Sequence, residues 1–183
     1  VSAENLSTLV NDLLDFERIE AGELRLAEET FSLTRVAEYL ERLFTEAARE
    51  KGLSLVSEID LQGAPDWVRG DRSRVVQILT NLLSNAIKYT NNGEVRFRVI
   101  GESPRNRGED ASGGGVHYLF EVEDSGIGIS EGDRELVFDR FRQLDNGYTK
   151  GARGVGLGLA IVKQVVDAMG GSIEVDSTPG VGT

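Results

Sequence analysis

Residues 78–90, ILTNLLSNAIKYT, read as a helix with two unlike faces. Ile78, Leu79, Leu82, Leu83, Ala86 and Ile87 recur at the three-and-four spacing of an amphipathic helix and make a core-facing stripe. Asn81, Asn85 and Lys88 fall together on another side, at i, i+4 and i+7. Asparagine is a middling helix former, because its amide competes for backbone hydrogen bonds. Two asparagines in line with a lysine on a core helix therefore need an explanation, and the rest of the chain has to supply it.

Working outward, GAPDWVRGD turns into this helix, with Asp71 as its N-cap, and Asn91-Asn92-Gly93 ends it in a turn. EVRFRVI follows with clean period two. A polar, glycine-rich connection over residues 101–115 leads to the strand VHYLFEVED, and the pair reads as a hairpin with a long tip. Upstream, residues 4–20 space Leu6, Leu9, Val10, Leu13, Leu14 and Phe16 as a helix too apolar to stand alone. ELRLAEETF alternates like a strand up to Phe31. Thr34 to Glu50 is a second amphipathic helix with Val36, Leu40, Leu43, Phe44 and Ala47 inward, and Leu53 to Ile59 alternates again. Val155 to Met169 is a last helix, and SIEVDS, residues 172–177, a last strand. Helices mixed with hairpins predict an α/β fold, a two-layer sandwich of helices on one face of a mixed, largely antiparallel sheet.

A chain of 183 residues with 39% hydrophobic content can bury one sizeable core. Its formal net charge of -11 argues against a general nucleic-acid binder or a polybasic membrane-surface module, so an anionic ligand needs a local basic site. The absence of cysteine excludes disulfides, thiolate metal sites and a cysteine nucleophile, and is compatible with the cytoplasm. No apolar run approaches the roughly 20 residues of a membrane span, and no signal-peptide pattern opens the chain. It begins at Val1 and stops at Thr183 just after TPGVG, so a longer parent protein is expected.

Four stretches carry candidate chemistry, each with a plainer alternative. Asn81 and Asn85 are either solvated polar positions or amide oxygens for a hard cation such as Mg²⁺, which prefers oxygen ligands and is usually shared with substrate phosphates. Lys88, one turn on, adds a point charge. EDSGIGI, residues 123–129, is either an Asx turn or an acceptor, Asp124, for an exocyclic amine such as adenine's, with Gly126 and Gly128 letting a flat ring approach. Gly154, Gly156 and Gly158 precede and open a helix, as packing residues or as a phosphate grip built from free N–H groups and the helix dipole. VFDRFRQLDNGYTKGAR, residues 137–153, breaks periodicity after Phe141 like a lid. From Arg140 to Arg153 it carries Arg140, Arg142, Lys150 and Arg153 against Asp145 alone, the local basic site that an acidic protein needs for a polyphosphate; the alternative is a solvated loop.

In order and spacing together, these stretches resemble the ATP-binding catalytic domain of sensor histidine kinases, a branch of the Bergerat-fold ATPases that include type II topoisomerases, mismatch-repair ATPases and heat-shock chaperones. NLLSNAIKYT looks like that family's asparagine box, DSGIGI its first glycine box, VFDRF its phenylalanine box and GVGLGLAI its second glycine box. The resemblance covers residues 23–183 as a catalytic domain truncated at its C-terminus. Residues 1–22 look like the end of the second helix of the dimerisation and phosphoacceptor domain.

The resemblance implies Asp124 on the adenine amine beside Gly126 and Gly128, and Asn85 on Mg²⁺ with Asn81 as its neighbour. Asn81 and Lys88 would act at the phosphates, Tyr89 would lie near the nucleotide, and Arg142, Gly154, Gly156, Leu157 and Gly158 would form the lid and phosphate grip. It also implies ATP as cofactor, a phosphoacceptor helical domain and a response regulator receiver as partners, and a homodimeric parent that is cytoplasmic or anchored in a membrane with this domain in the cytoplasm. Relatives that hydrolyse ATP place a glutamate four residues before the metal-binding asparagine as general base. Here Asn81 stands there, which favours transfer to a protein nucleophile over hydrolysis. Two departures stand out: Val155 replaces the usual threonine of the second glycine box, and the only histidine, His117, sits in a predicted strand rather than on an acceptor helix. A degenerate, signalling-only nucleotide module is the alternative to a kinase.

Overall fold

Asp71 decides where the asparagine helix starts. Its backbone is extended (φ −94°, ψ 94°) and its Oδ1 accepts from the Arg74 N–H at 3.0 Å, filling one of the orphan donors of a first helical turn. Its Oδ2 accepts from the Ala27 N–H at 2.9 Å, so the same buried carboxylate also ties down the incoming chain. In the computed structural model, residues 17, 24–102, 115–140, 142 and 156–183 are described. The expected helix over residues 4–20, apart from Glu17, which is helical, the boundary at residue 22, and most of the connection after Gly101 lie outside them.

The described chain runs β1 (Glu29–Ser32), α1 (Leu33–Glu50), β2 (Ser54–Asp60), β3 (Trp67–Gly70), α2 (Arg72–Tyr89), β4 (Glu94–Glu102), β5 (His117–Asp124) and α3 (Gly158–Ala168). Two short 3-10 turns, Glu131–Asp133 and Leu136–Phe138, lie between β5 and α3. β1 and β3 pair antiparallel. The main sheet has the order β2-β4-β5, parallel across the first pair and antiparallel across the second.

One face of that sheet is core and the other is charged, as period-two alternation dictates. Val95, Phe97 and Val99 of β4 point inward against Val36 and Leu40 of α1 and Leu79 and Leu83 of α2, and each is almost wholly buried. Each such side chain contributes roughly 1.5–3 kcal/mol of transfer free energy. Arg96 and Arg98 point outward, where Arg98 reaches Glu121 at 2.9 Å and Arg96 reaches Glu94 at 2.6 Å. Such solvated pairs contribute little to stability and chiefly keep the outer face wet.

The entry to α1 is held by polar side chains. Ser32 caps the helix, accepting from the Arg35 N–H at 3.1 Å and donating to Asp66 Oδ2 at 2.6 Å, while Asp66 Oδ1 accepts from the Thr34 N–H at 2.8 Å. Desolvation pushes the Asp66 carboxyl up, but these donors and Arg35 outweigh it and hold the group below its ordinary value.

The mixed two-layer α/β architecture agrees with the sequence reading, with local corrections. The strand ending near Phe31 is only Glu29–Ser32, because residues 24–28 lack a ladder partner among the described residues. Leu43 and Ala47 are exposed, and Ala37 and Ala48 take the inner positions. Trp67–Gly70, expected as a turn, is a strand because it pairs with β1. The last helix starts at Gly158 rather than Val155. SIEVDS is not a strand: it has no ladder partner among the described residues, and alternation alone makes no strand.

Candidate functional site

α2 presents Asn81, Asn85, Lys88 and Tyr89, all half-buried, beside the stripe of Val75, Leu79, Leu83, Ala86 and Ile87 that anchors it in the core. The two amides differ. Asn81 Nδ2 donates to the Gln77 carbonyl at 3.3 Å, while no hydrogen bond engages the Asn85 amide among the described residues. Lys88 Nζ lies 4.8 Å from the centroid of the Tyr89 ring, a cation–π contact that leaves its charge at the exit of the helix.

Asp124 closes β5 beside the end of this helix. Its Oδ1 accepts from the Gly126 N–H at 2.8 Å, the expected Asx turn, and is 3.5 Å from the Thr90 hydroxyl. Burial pushes its carboxyl above the ordinary value, against the Gly126 and Thr90 donors that pull it down. A half-buried carboxyl held above its ordinary value in this way is a candidate ligand-binding group.

The glycines find protein where a side chain would stand. A Cβ on Gly126 would lie 2.6 Å from the Tyr89 carbonyl, and Gly128, with φ +66°, lies against the Thr178 carbonyl and Pro179. They let the Asp124 loop close on α2 and on the turn Thr178–Gly182; the space at their missing Cβ atoms is not open to a ring. Gly158 opens α3 with no side-chain cap, and a Cβ there would lie 2.8 Å from Asn81 Oδ1. α2 therefore meets both glycine segments: Asn81 at Gly158, Tyr89 at Gly126.

Leu157 is a core residue, packed with Ile161 and Val165 and covered by Ile78, so only its main chain is available to a ligand. Gly156 adopts φ +74°, a left-handed turn before the helix. Arg142 is exposed, and Phe138 carries Lys163 over its ring at 5.5 Å. Gly154, Val155 and most of the basic stretch lie outside the described residues. His117 is exposed at the start of β5, opposite Glu102.

Sequence reasoning missed two supports. Thr90, fully buried, donates to the Ala86 carbonyl at 2.7 Å beside Asp124. Thr183 exchanges backbone hydrogen bonds with Asp124, at 2.8 and 3.2 Å, and its hydroxyl meets Ser177 Oγ at 2.9 Å. Thr90 stood in the motif itself; nothing local marks Thr183.

A family model described as histidine kinase-, DNA gyrase B- and HSP90-like ATPase matches residues 70–183, from the end of β3 through both glycine segments. The chain belongs to this ATPase family, and within it to the sensor histidine kinase branch, as an ATP-binding catalytic domain. Over its full length it is 40% identical to the circadian input-output histidine kinase CikA of Synechococcus elongatus, of which it spans 23%. It is also 40% identical to the sensor protein GacS of Pseudomonas syringae, spanning 19% of it. The chain thus covers about a fifth of the length of these curated relatives. The crystal structure of full-length ShkA in complex with AMPPNP is similar at a TM-score of 0.77 and 31% identity, covering 97% of this chain and 34% of that one.

Proposed function

We propose that this domain binds Mg-ATP between α2, the Asp124 loop and the start of α3, and delivers the γ-phosphoryl group to a histidine on a helical phosphoacceptor domain of a longer protein. The observation that carries this reading is the double contact of α2, with Asn81 at Gly158 and Tyr89 at Gly126. One helix thereby joins a half-buried acceptor for a base to a helix N-terminus suited to phosphate. Asp124 Oδ2, which no side chain of the described residues engages, would accept from the adenine amine. Lys88 and the first N–H groups of α3 would hold the phosphates, with Arg142, Gly154 and Gly156 on the lid side.

Asn85 fits a Mg²⁺ ligand, since its amide is uncommitted, and Asn81 retains Oδ1 as an acceptor beside it. Among the described residues no three His, Cys, Asp or Glu side chains gather as a metal site, so a cation here would rest on amide oxygen and substrate phosphate. When bound, Mg²⁺ supplies neutralisation of phosphate charge. Transfer of this kind is mostly positioning and electrostatics, which a held nucleotide provides. Asn81 cannot take up a proton at neutral pH, so water has no base at that position, and hydrolysis is disfavoured.

Residues 1–22 we assign to the end of the dimerisation and phosphoacceptor domain, and residues 23–183 to the catalytic domain. The parent would be a cytoplasmic homodimer, or one with this domain on the cytoplasmic side, passing phosphate to a response regulator receiver. Among the described residues no helix is long and apolar enough to cross a membrane. The test supplies the chain with labelled Mg-ATP and the separately made phosphoacceptor domain. Acid-labile, base-stable phosphate on that domain is expected; binding without transfer, or free phosphate alone, would overturn the kinase reading.

A further inference from the structure

Lys51 ends α1 and reaches across to α2. Its backbone caps the first helix, and its ammonium donates to the carbonyls of Ile87 at 2.7 Å, Lys88 at 2.8 Å and Thr90 at 3.0 Å. An ammonium has three donors, and all three are spent on the end of one helix. Carbonyls there lack intrahelical partners and form the negative end of the helix dipole, so a cation is doubly favoured.

The two other carbonyls of this turn are also bonded. Ala86 accepts from the Thr90 N–H and hydroxyl, and Tyr89 accepts from the Ile127 N–H at 3.4 Å. The last turn of α2 is thus pinned from the α1 side by Lys51 and from the Asp124 loop by Ile127. Asn85, Lys88 and Tyr89 project from this same turn, and Thr90 follows it beside Asp124. Helix ends fray when their carbonyls lack partners, and a frayed end must be ordered again when ligand binds.

We propose that Lys51 is a positioning residue for the nucleotide site: by saturating the end of α2 it holds Asn85 and Lys88, together with Asp124 through Thr90, in the arrangement that receives Mg-ATP. The inference rests on the nucleotide reading given above and adds a residue remote from the motifs that define it. The plain alternative is a cap that stabilises the fold and does nothing particular for the ligand.

Calorimetric titration with Mg-AMPPNP, at a temperature where every variant is folded, separates the two. Lys51→Met keeps the stem and removes the donors, and should weaken binding by about tenfold or more through lost preorganisation. Lys51→Arg restores charge and donors and should recover most of that loss. Val36→Ala, a cavity in the buried face of α1 far along the helix from Lys51, should lower the melting temperature at least as much while leaving affinity within about twofold. Equal affinity of Lys51→Met and wild type, or an equal loss in Val36→Ala, would overturn the positioning role. Should Lys51→Met fail to fold, Lys51→Gln, which removes the charge and shortens the reach while keeping two amide donors, replaces it, with a loss of affinity expected and wild-type affinity overturning the role. Failure of the wild type itself to bind would instead remove the nucleotide reading, and this inference with it.

Discussion

The hydroxyl of Thr90 stands 2.7 Å from the Ala86 carbonyl and 3.5 Å from Oδ1 of Asp124, with the residue wholly buried. One small side chain thereby joins the last turn of α2 to the carboxylate that closes β5. Deleting the hydroxyl tests this link without changing the shape of the site.

Thr90→Val should push the Asp124 carboxyl still higher, because the threonine donor pulls it down in the wild type. It should also cost about 1 kcal/mol of stability for the lost hydrogen bond to Ala86. A carboxyl titration followed by NMR reads the first effect and urea unfolding the second. An Asp124 titration identical in both proteins would show that the two residues are uncoupled.

For Asp124 itself the sign differs between fold and ligand. Its folded-state value is raised, so its contribution to stability is fully present below the unfolded value and is lost as pH rises through the folded one. Acidification should therefore favour the unliganded wild type relative to Asp124→Asn, as melting curves across the acid range would reveal. Nucleotide affinity should run the other way, falling on acidification with a midpoint above 3.8, the ordinary value for the group. A midpoint at or below that value would place the titration on some other group.

Asn85→Ala should cost binding chiefly in the presence of Mg²⁺, since the amide oxygen is the proposed ligand and hard cations prefer oxygen. Titrations of ATP with Mg²⁺ and with excess chelator make the comparison. Equal losses in both would mean that Asn85 touches the nucleotide or shapes the helix instead.

Asp71→Ala removes an N-cap and frees the Ala27 N–H at once. The cap alone is worth about 0.5–2 kcal/mol, and the second bond should bring the loss to the upper part of that range. Denaturant unfolding gives the value. A loss confined to a few tenths would mean that water replaces both bonds.

Much of the local structure around the candidate site is legible along the chain. Asp71 as a cap, the helix through Asn81, Asn85 and Lys88, and the turn at Asn91-Asn92-Gly93 were readable because each depends on residues within a few positions of one another. The alternation of β4 announced its buried and charged faces for the same reason, and Asp124 was marked by the glycines that follow it. The stripe on α1 is only partly legible: Leu43 fits the helical period, yet it is 48% exposed, while Ala37 and Ala48 are buried.

What local pattern determined about this protein was the identity and order of its helices and β4–β5 hairpin strands, and the motifs that place it among ATP-binding domains. Tertiary structure alone decided that Trp67–Gly70 is a strand, that SIEVDS is not, that Gly126 and Gly128 serve close backbone packing, and that Lys51 caps a helix 36 residues away. The physical reason is common to all four. Helical and strand periodicity arise from neighbours in sequence, whereas ladder partners, the occupant of a missing Cβ and the acceptors of an ammonium come from segments that only folding brings together.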